Sequence, residues 1–290
     1  MNHIFETRDN VNIHDFHHLK CINDNIPYQL NYPSIIFNYK KQNDDKQEKI
    51  EKIIHFIWIG KLIPEKYINT CFECRKINVN YKIILWVDYT SMNESIKNHL
   101  LQNNIEIMNI YDFLQKDNEE IEFIPLNHYI IELLNKGNNY GYKADIIRLY
   151  VVYYFGGIYS DIDSVWIKQF DDNFDNDFVT FRIDKQCSNL TNSFFGFQKK
   201  SWILCNIINN LHLSIDCFLK INNENIFNRY IPLITGPDFF TYMIANFDPK
   251  EIKYIHQAFC VIGGPHEEFY SNYFYENKCY CYQTFDKNWC

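Results

Sequence analysis

From residue 53 onward, short apolar runs alternate with stretches of mixed polarity. The runs Ile53–Ile59 and Lys82–Val87 are rich in β-branched and aromatic residues and predict buried strands. Between them, Pro64 to Ile77 predicts a helix, since proline is tolerated in a first helical turn. Ile105–Ile110 predicts a third strand. This alternation is typical of an α/β fold built on a mostly parallel sheet flanked by helices.

The capping pattern predicts a second helix between the second and third strands. Ser91 is the expected N-cap, Glu94 would complete a capping box, and the helix would run to about Asn103. Further along, Tyr142–Phe155 predicts an apolar helix that ends at Gly156-Gly157. The next three residues, from Ile158 to Ser160, predict a short strand.

The last third of the chain predicts two further strands and two further helices. The strands are expected at Phe178–Phe181 and Phe194–Phe197, and the helices at Ser201–Leu213 and Thr235–Ala245. After these elements the pattern indicates aromatic loops to the end. Residues 1–50 are irregular and predict an N-terminal extension or cap, and residues 51–290 predict one catalytic domain.

The amino-acid composition excludes several classes of protein. The 24 Phe, 22 Tyr and 5 Trp residues require burial, which excludes a disordered chain. The net charge of -8 argues against nucleic acid as a partner, because duplex binding needs a basic surface. No apolar run approaches the ~20 residues of a membrane span. The N-terminus also lacks a signal-peptide pattern. We therefore expect no membrane span, signal peptide or anchor in this chain, and a cytoplasmic or other reducing compartment.

Ten cysteines raise the question of a zinc site. Cys71 and Cys74 form one Cys-x-x-Cys pair, whereas Cys279 and Cys281 are only two residues apart, and neither pair has a matching second half. Apolar neighbours instead predict reduced, inert thiols in the core.

Asp161 and Asp163 are the first candidates for chemistry. Side chains two residues apart in an extended segment point to the same side. Both carboxylates directly follow a predicted strand, where ligands collect in α/β folds. One or two carboxylates suffice for Mg²⁺ or Mn²⁺ when phosphate oxygens supply the remaining ligands. A solvated turn is the alternative interpretation.

Asp145 and Arg148 are the second candidates. They are spaced i and i+3 on the predicted apolar helix and so share one face. An exposed ion pair is one interpretation. If the helix is buried, both charges need partners, and a phosphate and sugar hydroxyls would be suitable.

Four segments carry a family resemblance when taken in order. They are IIHFIWIGK, the Cys-x-x-Cys-Arg helix that leads to NVNYKIILWVD, KADIIRLYVVYYFGGIYSDID, and TGPDFFT. In this order the chain resembles the Asp-x-Asp sugar transferases of glycosyltransferase family 32, which include fungal Golgi mannosyltransferases and bacterial capsule enzymes. It is also similar to the catalytic domain of the large clostridial glucosylating toxins. The resemblance covers Lys52 to Cys290, and Tyr142–Asp163 is its most specific block.

The resemblance implies a GT-A fold and roles for individual residues. Trp58 would stack on the nucleobase, with a core tryptophan as the alternative, and Tyr159 would line the nucleotide pocket. Asp145 would bind hydroxyls of the donor sugar, and Arg148 would lie near the sugar or its phosphates.

The acidic pair and the Thr-Gly-Pro-Asp turn receive roles in the same way. Asp161 would contact the ribose and the metal, and Asp163 would be the direct metal ligand. Asp238 would lie in a turn near the acceptor.

The C-terminal tail departs from the family pattern of a histidine pair followed by Gly-Ser-Trp. Trp289 matches the tryptophan and Asn288 replaces the serine, but no histidine stands at Gln283 or Thr284. Asp286 and Asn288 are therefore candidates for the third metal ligand. Trp289 is expected to close over the bound diphosphate.

The expected function is a metal-dependent retaining hexosyltransferase that uses Mn²⁺ or Mg²⁺. The expected donor is a nucleotide sugar, preferably a UDP-hexose or a UDP-N-acetylhexosamine, and the acceptor is a glycan, a protein or a lipid-linked sugar. A GDP-mannose-dependent mannosyltransferase and a non-catalytic nucleotide-sugar- or glycan-binding relative are the alternatives. His55 is expected to be a hydrogen-bonded core histidine, whereas His266 lies in a loop that could face the acceptor.

Overall fold

A computed structural model of the chain describes residues 49–115, 134, 139–170, 176–181, 190–219, 231–248, 250–255, 259–261 and 280–284. Nearly all of the predicted N-terminal extension, residues 1–50, lies outside these ranges. The predictions for His266, Asp286, Asn288 and Trp289 also fall outside them.

The described residues form strands and helices that alternate through the first half of the chain. The strands are β1 (Ile53–Trp58), β2 (Lys82–Val87), β3 (Ile105–Asn109), β4 (Gly157–Ser160), β5 (Ser164–Trp166), β6 (Phe178–Phe181), β7 (Leu190–Phe197), β8 (Lys253–Ile255), β9 (Phe259–Val261) and β10 (Cys281–Gln283). The helices are α1 (Glu65–Ile77), α2 (Glu94–Gln102), α3 (Ile110–Gln115), α4 (Tyr140–Phe155), α5 (Trp202–Leu219) and α6 (Pro237–Ile244).

Seven strands form the main sheet in the order β3-β2-β1-β4-β7-β6-β8. Strands β1, β2, β3 and β4 pair in parallel, and β7 is antiparallel to both of its neighbours. Since β6 and β8 are again parallel to each other, β7 alone runs against the other six. The mostly parallel sheet flanked by helices that the sequence predicts is confirmed. A smaller sheet has the order β5-β10-β9.

Both faces of the main sheet are covered, which explains the nearly continuous apolar runs of its strands. Ile83, Leu85 and Val87 of β2 belong to a core cluster with side chains of α1. The intervening Ile84 and Trp86 pack in a second cluster with α4, α5 and α6. The period of two in these strands therefore divides their side chains between two separate cores.

Gly156 and Gly157 place β4 directly beside β1. Gly157 has a φ of +96°, and a Cβ atom there would lie 2.6 Å from the carbonyl oxygen of Ile53. Only glycine accepts both this backbone conformation and this close approach. The predicted end of the helix at Gly156-Gly157 thus also positions the strand that leads to Asp161.

Several element boundaries differ from the predictions. Asn93, not Ser91, caps α2, because its Oδ1 accepts the N–H of Ile96 at 2.9 Å. Ser91 ends a 3₁₀ turn and donates its hydroxyl to the carbonyl oxygen of Gly60 at 2.7 Å. Ile110 begins α3 instead of ending β3. Sequence spacing alone placed the cap two residues too early, since Ser91 has a tertiary partner that the pattern does not reveal.

The later elements are longer and more numerous than predicted. Strand β7 begins at Leu190 rather than Phe194, and α5 continues to Leu219 rather than Leu213. Strands β8, β9 and β10 occur where loops were expected, and β5 was not predicted. These strands are three residues long and depend on pairing with distant partners, so they carry little periodic signal.

The described cysteines match the expected buried thiols. Cys71, Cys74, Cys205 and Cys281 are buried and reduced. Burial raises the pKa of both Cys71 and Cys74 well above its ordinary value, which keeps these thiols protonated. Among the helices that the structure describes, none combines the length and the apolarity that crossing a bilayer requires.

Candidate active site

The candidate site lies at the edge of the main sheet where β4 ends. Asp161 follows β4 immediately, and its N–H donates to the carbonyl oxygen of Ser193 at 2.9 Å. Because β7 runs antiparallel to β4, its first residues lie beside the last residues of β4, with Ser160 opposite Phe194. The polar residues that open β7 are therefore brought to the acidic motif.

Arg148 occupies the centre of this site. It is 6% exposed and stands on α4, where it ion-pairs with Asp145 (Nη2 to Oδ1, 3.1 Å) and with Asp161 (Nη1 to Oδ1, 3.2 Å). The same Nη1 donates to the carbonyl oxygen of Asn192 at 2.6 Å. Its guanidinium carbon lies 4.6 Å from the ring centre of Tyr159. Asp145 and Arg148 share one face of α4, as their spacing predicts, and their ion pair is buried rather than exposed.

Asp145 is held through both carboxylate oxygens. Oδ1 accepts a hydrogen bond from the side-chain amide of Asn192 at 2.8 Å, and Oδ2 accepts one from the hydroxyl of Thr235 at 3.2 Å. Burial raises the pKa of Asp145, and Arg148 and these donors oppose that shift. The protein itself thus supplies partners for a buried charge that the sequence interpretation left to a ligand.

Asp161 is surrounded by donors from three elements. Oδ1 accepts the hydroxyl of Tyr159 at 2.6 Å in addition to the ion pair with Arg148, and Oδ2 accepts the side-chain amide of Gln283 at 2.8 Å. Burial raises the pKa of Tyr159 well above its ordinary value, and so does Asp161. Tyr159 therefore keeps its proton and remains a donor.

Arg148 stays charged in this environment. Burial by itself lowers its pKa, but Tyr159, Asp161 and other acidic neighbours outweigh burial, so the pKa lies above its ordinary value. Asp145, Asp161 and Asp163 all act on this single guanidinium. Carboxylates outnumber cations in this part of the described structure, which suits a site that binds a further cation.

The donor set fits a hard divalent ion that arrives with phosphate. Within the described residues, no three His, Cys, Asp or Glu side chains are grouped closely enough to hold a metal by themselves. Asp161 and Asp163 nevertheless supply the two carboxylates that suffice when a diphosphate completes the coordination. Each carboxylate offers about four lone-pair positions, so the donors on Asp161 leave room for a ligand bond.

Comparison with known proteins relates this part of the chain to sugar transferases. A family model described as the glycosyltransferase sugar-binding region containing the DXD motif matches residues 64–179. This segment includes α4, β4 and both aspartates of the acidic pair. Residues 64–179 are therefore similar to the sugar-binding region of Asp-x-Asp glycosyltransferases.

The chain is also similar to individual proteins of known sequence. A toxin of Photorhabdus asymbiotica is 36% identical over 127 residues, which is 42% of this chain and 4% of the toxin. Inositol phosphoceramide mannosyltransferase 1 of Schizosaccharomyces pombe is 26% identical over 235 residues, which is 77% of this chain and 61% of that enzyme. The chain thus spans less than two thirds of the length of both relatives.

The fold of the described residues is that of solved GT-A domains. The UDP-bound glycosyltransferase domain of the YGT toxin superposes with a TM-score of 0.55 at 10% sequence identity, covering 72% of this chain and 80% of that one. At this identity the match concerns the fold. The predicted GT-A architecture is confirmed.

Two predicted site residues lie apart from the central contacts of the candidate site. Trp58 is half-buried at the end of β1, its ring centre is 4.9 Å from that of Tyr67, and its Nε1 donates to the carbonyl oxygen of Lys61 at 2.7 Å. Asp238 is in the first turn of α6, whereas Thr235 of the same motif contacts Asp145. Base stacking by Trp58 and an acceptor role for Asp238 stay predictions.

The structure also brings in residues that sequence reasoning missed. They are Asn192, Ser193, Thr235 and Gln283, all less than 7% exposed. Thr191, Asn192 and Ser193 form a polar run that directly precedes Phe194 and Phe195 of the same buried strand. A polar run beside aromatic residues of a buried strand is the sequence signal that could have identified these residues. Buried polar groups need hydrogen-bond partners, so such a run indicates a polar site.

Proposed function

We propose that the domain transfers a sugar, with retention of anomeric configuration and with a divalent cation, from a nucleotide sugar to an acceptor hydroxyl. The observation that carries the proposal is the placement of Arg148 between Asp145 and Asp161 at the end of β4. Arg148 is a fixed cation that links Asp145, the proposed acceptor for sugar hydroxyls, to Asp161 of the acidic pair.

Asp145 would receive the hydroxyls of the donor sugar. Its carboxylate is fixed from both sides by Asn192 and Thr235. A fixed acceptor lowers the entropy cost of orienting a ligand hydroxyl. Arg148 would stabilise this charge and direct its remaining positive potential towards the leaving diphosphate.

Asp161 and Asp163 would hold the metal together with the diphosphate, and Asp161 would also accept a ribose hydroxyl. A divalent cation bound there would supply Lewis-acid stabilisation of the diphosphate leaving group. Mn²⁺ and Mg²⁺ both suit carboxylate and phosphate oxygens. Asp286 and Asn288 are proposed as further contributors from the tail, and Trp289 as a residue that closes over the diphosphate.

Retention is proposed to occur without a covalent enzyme intermediate. Asp145 already accepts hydrogen bonds at both oxygens and is ion-paired, which makes its carboxylate a weak nucleophile. The acceptor oxygen would instead attack the anomeric carbon from the face that the diphosphate leaves. The bond from carbon to the diphosphate oxygen breaks, the bond to the acceptor oxygen forms, and the acceptor proton passes to a phosphate oxygen.

The preferred donor is a UDP-hexose or a UDP-N-acetylhexosamine, and the acceptor is a glycan, a protein or a lipid-linked sugar. The structurally similar YGT domain is described as UDP-bound. GDP-mannose is the second candidate donor, since three fission-yeast relatives are named mannosyltransferases. A non-catalytic binding role is the remaining alternative, supported by the absence of histidine at Gln283 and Thr284.

The test is a panel of UDP- and GDP-sugars incubated with the protein and Mn²⁺, Mg²⁺ or a chelator. Release of free nucleotide is measured, because sugar transferases transfer some donor to water. We expect release from a UDP-sugar that requires the cation. The Asp163→Asn variant serves as the inactive control, and Asp112→Asn, at an exposed position in the first turn of α3, as the matched control.

The results separate the alternatives. Release from GDP-mannose alone would replace the UDP donor with the mannosyltransferase alternative. Nucleotide binding by calorimetry with no release from any donor would support the non-catalytic role. Proton NMR of the first released sugar reports its anomeric configuration, and an inverted product would overturn the proposed retention.

A further inference from the structure

Gln283 connects the last described strand to the acidic motif. It is 6% exposed and ends β10, which pairs with β5 so that Gln283 lies opposite Ser164. Its amide nitrogen donates to Oδ2 of Asp161 at 2.8 Å, and its amide oxygen accepts from the hydroxyl of Ser193 at 3.3 Å. Gln283 therefore bridges β7 and the acidic motif.

The bridge extends further along β7. The hydroxyl of Ser193 is also hydrogen-bonded to the hydroxyl of Thr191. An amide can donate and accept at the same time, which allows one neutral side chain to join a hydroxyl to a carboxylate. A histidine or a carboxylate at this position would change the charge beside Asp161, whereas glutamine leaves it unchanged.

The neighbouring residue of the tail contacts the second aspartate. Thr284 donates its N–H to the carbonyl oxygen of Asp163 at 3.0 Å, and its hydroxyl donates to the same oxygen at 3.2 Å. Gln283 thus contacts the side chain of Asp161, and Thr284 contacts the backbone of Asp163. Two consecutive residues therefore hold the two ends of the Asp-Ile-Asp segment. The ladder between β10 and β5 depends on backbone groups, so the Gln283 side chain is not needed to form it.

We infer that Gln283 is a positioning residue, which orients the Asp161 carboxylate for the metal-bound nucleotide. The inference rests on the proposed function and extends it to the tail strand. With Gln283 in place, Asp161 has donors at both oxygens and one orientation. Without Gln283, Oδ2 loses its described donor and the carboxylate can rotate about its last torsion, which is intrinsically broad for aspartate.

Two substitutions of similar size separate positioning from packing. Gln283→Met keeps the length of the side chain and removes both polar contacts. Gln283→Glu keeps the acceptor for Ser193 but replaces the donor to Asp161 with a second carboxylate. Ser201→Ala is the stability control, because it also removes two buried hydrogen bonds, beyond the opposite end of β7. The Ser201 hydroxyl donates to Asp177 at 2.7 Å and accepts the N–H of Leu204 at 3.4 Å.

Binding of UDP with Mn²⁺ is measured by calorimetry on the full chain, with GDP in parallel and a thermal melt of each variant. We expect Gln283→Met to weaken nucleotide binding about tenfold while it melts like Ser201→Ala, since a hydrogen bond to a charged group is lost. Gln283→Glu should weaken binding further than Gln283→Met, because two carboxylates then face each other. Ser201→Ala should bind like the wild type.

A folded Gln283→Met protein with wild-type nucleotide affinity would overturn the inference. Wild-type binding by a folded Gln283→Glu protein would also overturn it, because this variant likewise lacks the donor to Asp161. If either variant does not fold, Ser193→Ala removes the distant end of the bridge together with the contact to Thr191, and it should still weaken binding about threefold. If the wild-type protein binds neither UDP nor GDP, the proposed function fails first.

Discussion

Two polar sites in the interior lie at the main sheet of this domain, and they differ in whether they require a ligand. The first is His55 in β1, which is fully buried. Its Nε2 donates to the carbonyl oxygen of Gly156 at 2.8 Å, and its Nδ1 accepts from Nε1 of Trp86 at 3.0 Å. Burial lowers the pKa of His55 to about 4, so the ring is neutral at pH 7. This site is complete without a ligand, as predicted for a core histidine.

The second site is the group of Asp145, Arg148 and Asp161. It also lies in the interior, and its members are hydrogen-bonded to several elements. Unlike the first site it is charged, and Asp163 adds a further carboxylate close enough to affect Arg148. A core needs no such excess of negative charge, because burying charge costs free energy that apolar packing does not.

This difference distinguishes buried polar groups that serve the stability of this fold from those that serve its function. At His55 each polar atom has one partner, the group is neutral and nothing is in excess. Around Arg148 the partners are numerous, yet their charges do not cancel. A cation bound with a diphosphate would balance such a site, and for that reason we place the chemistry here. The following predictions test this separation, from the largest expected effect to the smallest.

Replacing Arg148 should produce the largest effect. In Arg148→Met, the buried carboxylate of Asp145 and the partly buried carboxylate of Asp161 lose their common cation. We expect a loss of about 3–5 kcal/mol in the free energy of unfolding, together with loss of transfer. Denaturant unfolding and nucleotide release measure the two effects. Arg148→Lys keeps the charge but cannot reproduce the planar fork of donors. It should be folded and still inactive, and an active lysine variant would contradict the proposed geometry.

Replacing Asp163 should affect activity and leave the fold intact. Asp163→Asn removes a proposed metal ligand, so turnover should fall about a hundredfold or more because the leaving group loses stabilisation. Nucleotide release at saturating Mn²⁺ is the measurement, and Asp112→Asn is the matched control. Turnover close to that of the wild type would exclude Asp163 as a metal ligand.

Replacing His55 should have the opposite outcome. His55→Phe leaves the indole N–H of Trp86 and the carbonyl oxygen of Gly156 without their described partner, which should cost about 2–3 kcal/mol in the free energy of unfolding. The remaining folded protein should bind UDP as the wild type does. If UDP affinity falls while stability does not, the division between the two sites is wrong.

Replacing Trp58 tests whether this residue stacks on the nucleobase or belongs to the core. If it stacks on the base, Trp58→Ala should weaken UDP binding by about 1–3 kcal/mol. Trp202→Ala is the control, because Trp202 is also half-buried but packs against Phe247 in the α5 region. Calorimetry of UDP binding is the readout. Unchanged affinity in a folded Trp58 variant would assign this residue to the core.

Lowering the pH should reduce the free energy of unfolding by a small amount through His55. The unfolded chain protonates His55 near pH 6.5, whereas the native state does so only near pH 4. Between these values the unfolded state binds more protons, so stability falls as the pH falls. His55 should account for a loss of about 1 kcal/mol between pH 7 and pH 5.5. Denaturant unfolding at both pH values should show a smaller loss in His55→Phe, and an equal loss would contradict the assignment.

The parallel part of the fold could be predicted from the sequence because its signals are local. Both ends of β2 and the last residue of α1 were predicted, and α1 begins at Glu65 rather than at Pro64. Apolar runs of this kind are buried on both faces, and Gly60 and Asp88 follow the runs of β1 and β2. The acidic pair and the i, i+3 pair on α4 could be recognised for the same reason, since each lies within one short segment.

The sequence by itself thus determined the α/β class, the bounds of β2 and the shared helix face of Asp145 and Arg148. Only the tertiary structure decided what surrounds that pair. Asn192, Thr235 and Gln283 come from three separate regions of the chain, and no periodicity links them to Asp145 or Asp161. A buried charge is satisfied by whichever donors the fold brings within about 3 Å. That choice depends on β7 running antiparallel to β4 and on the pairing of β10 with β5, both of which are long-range contacts.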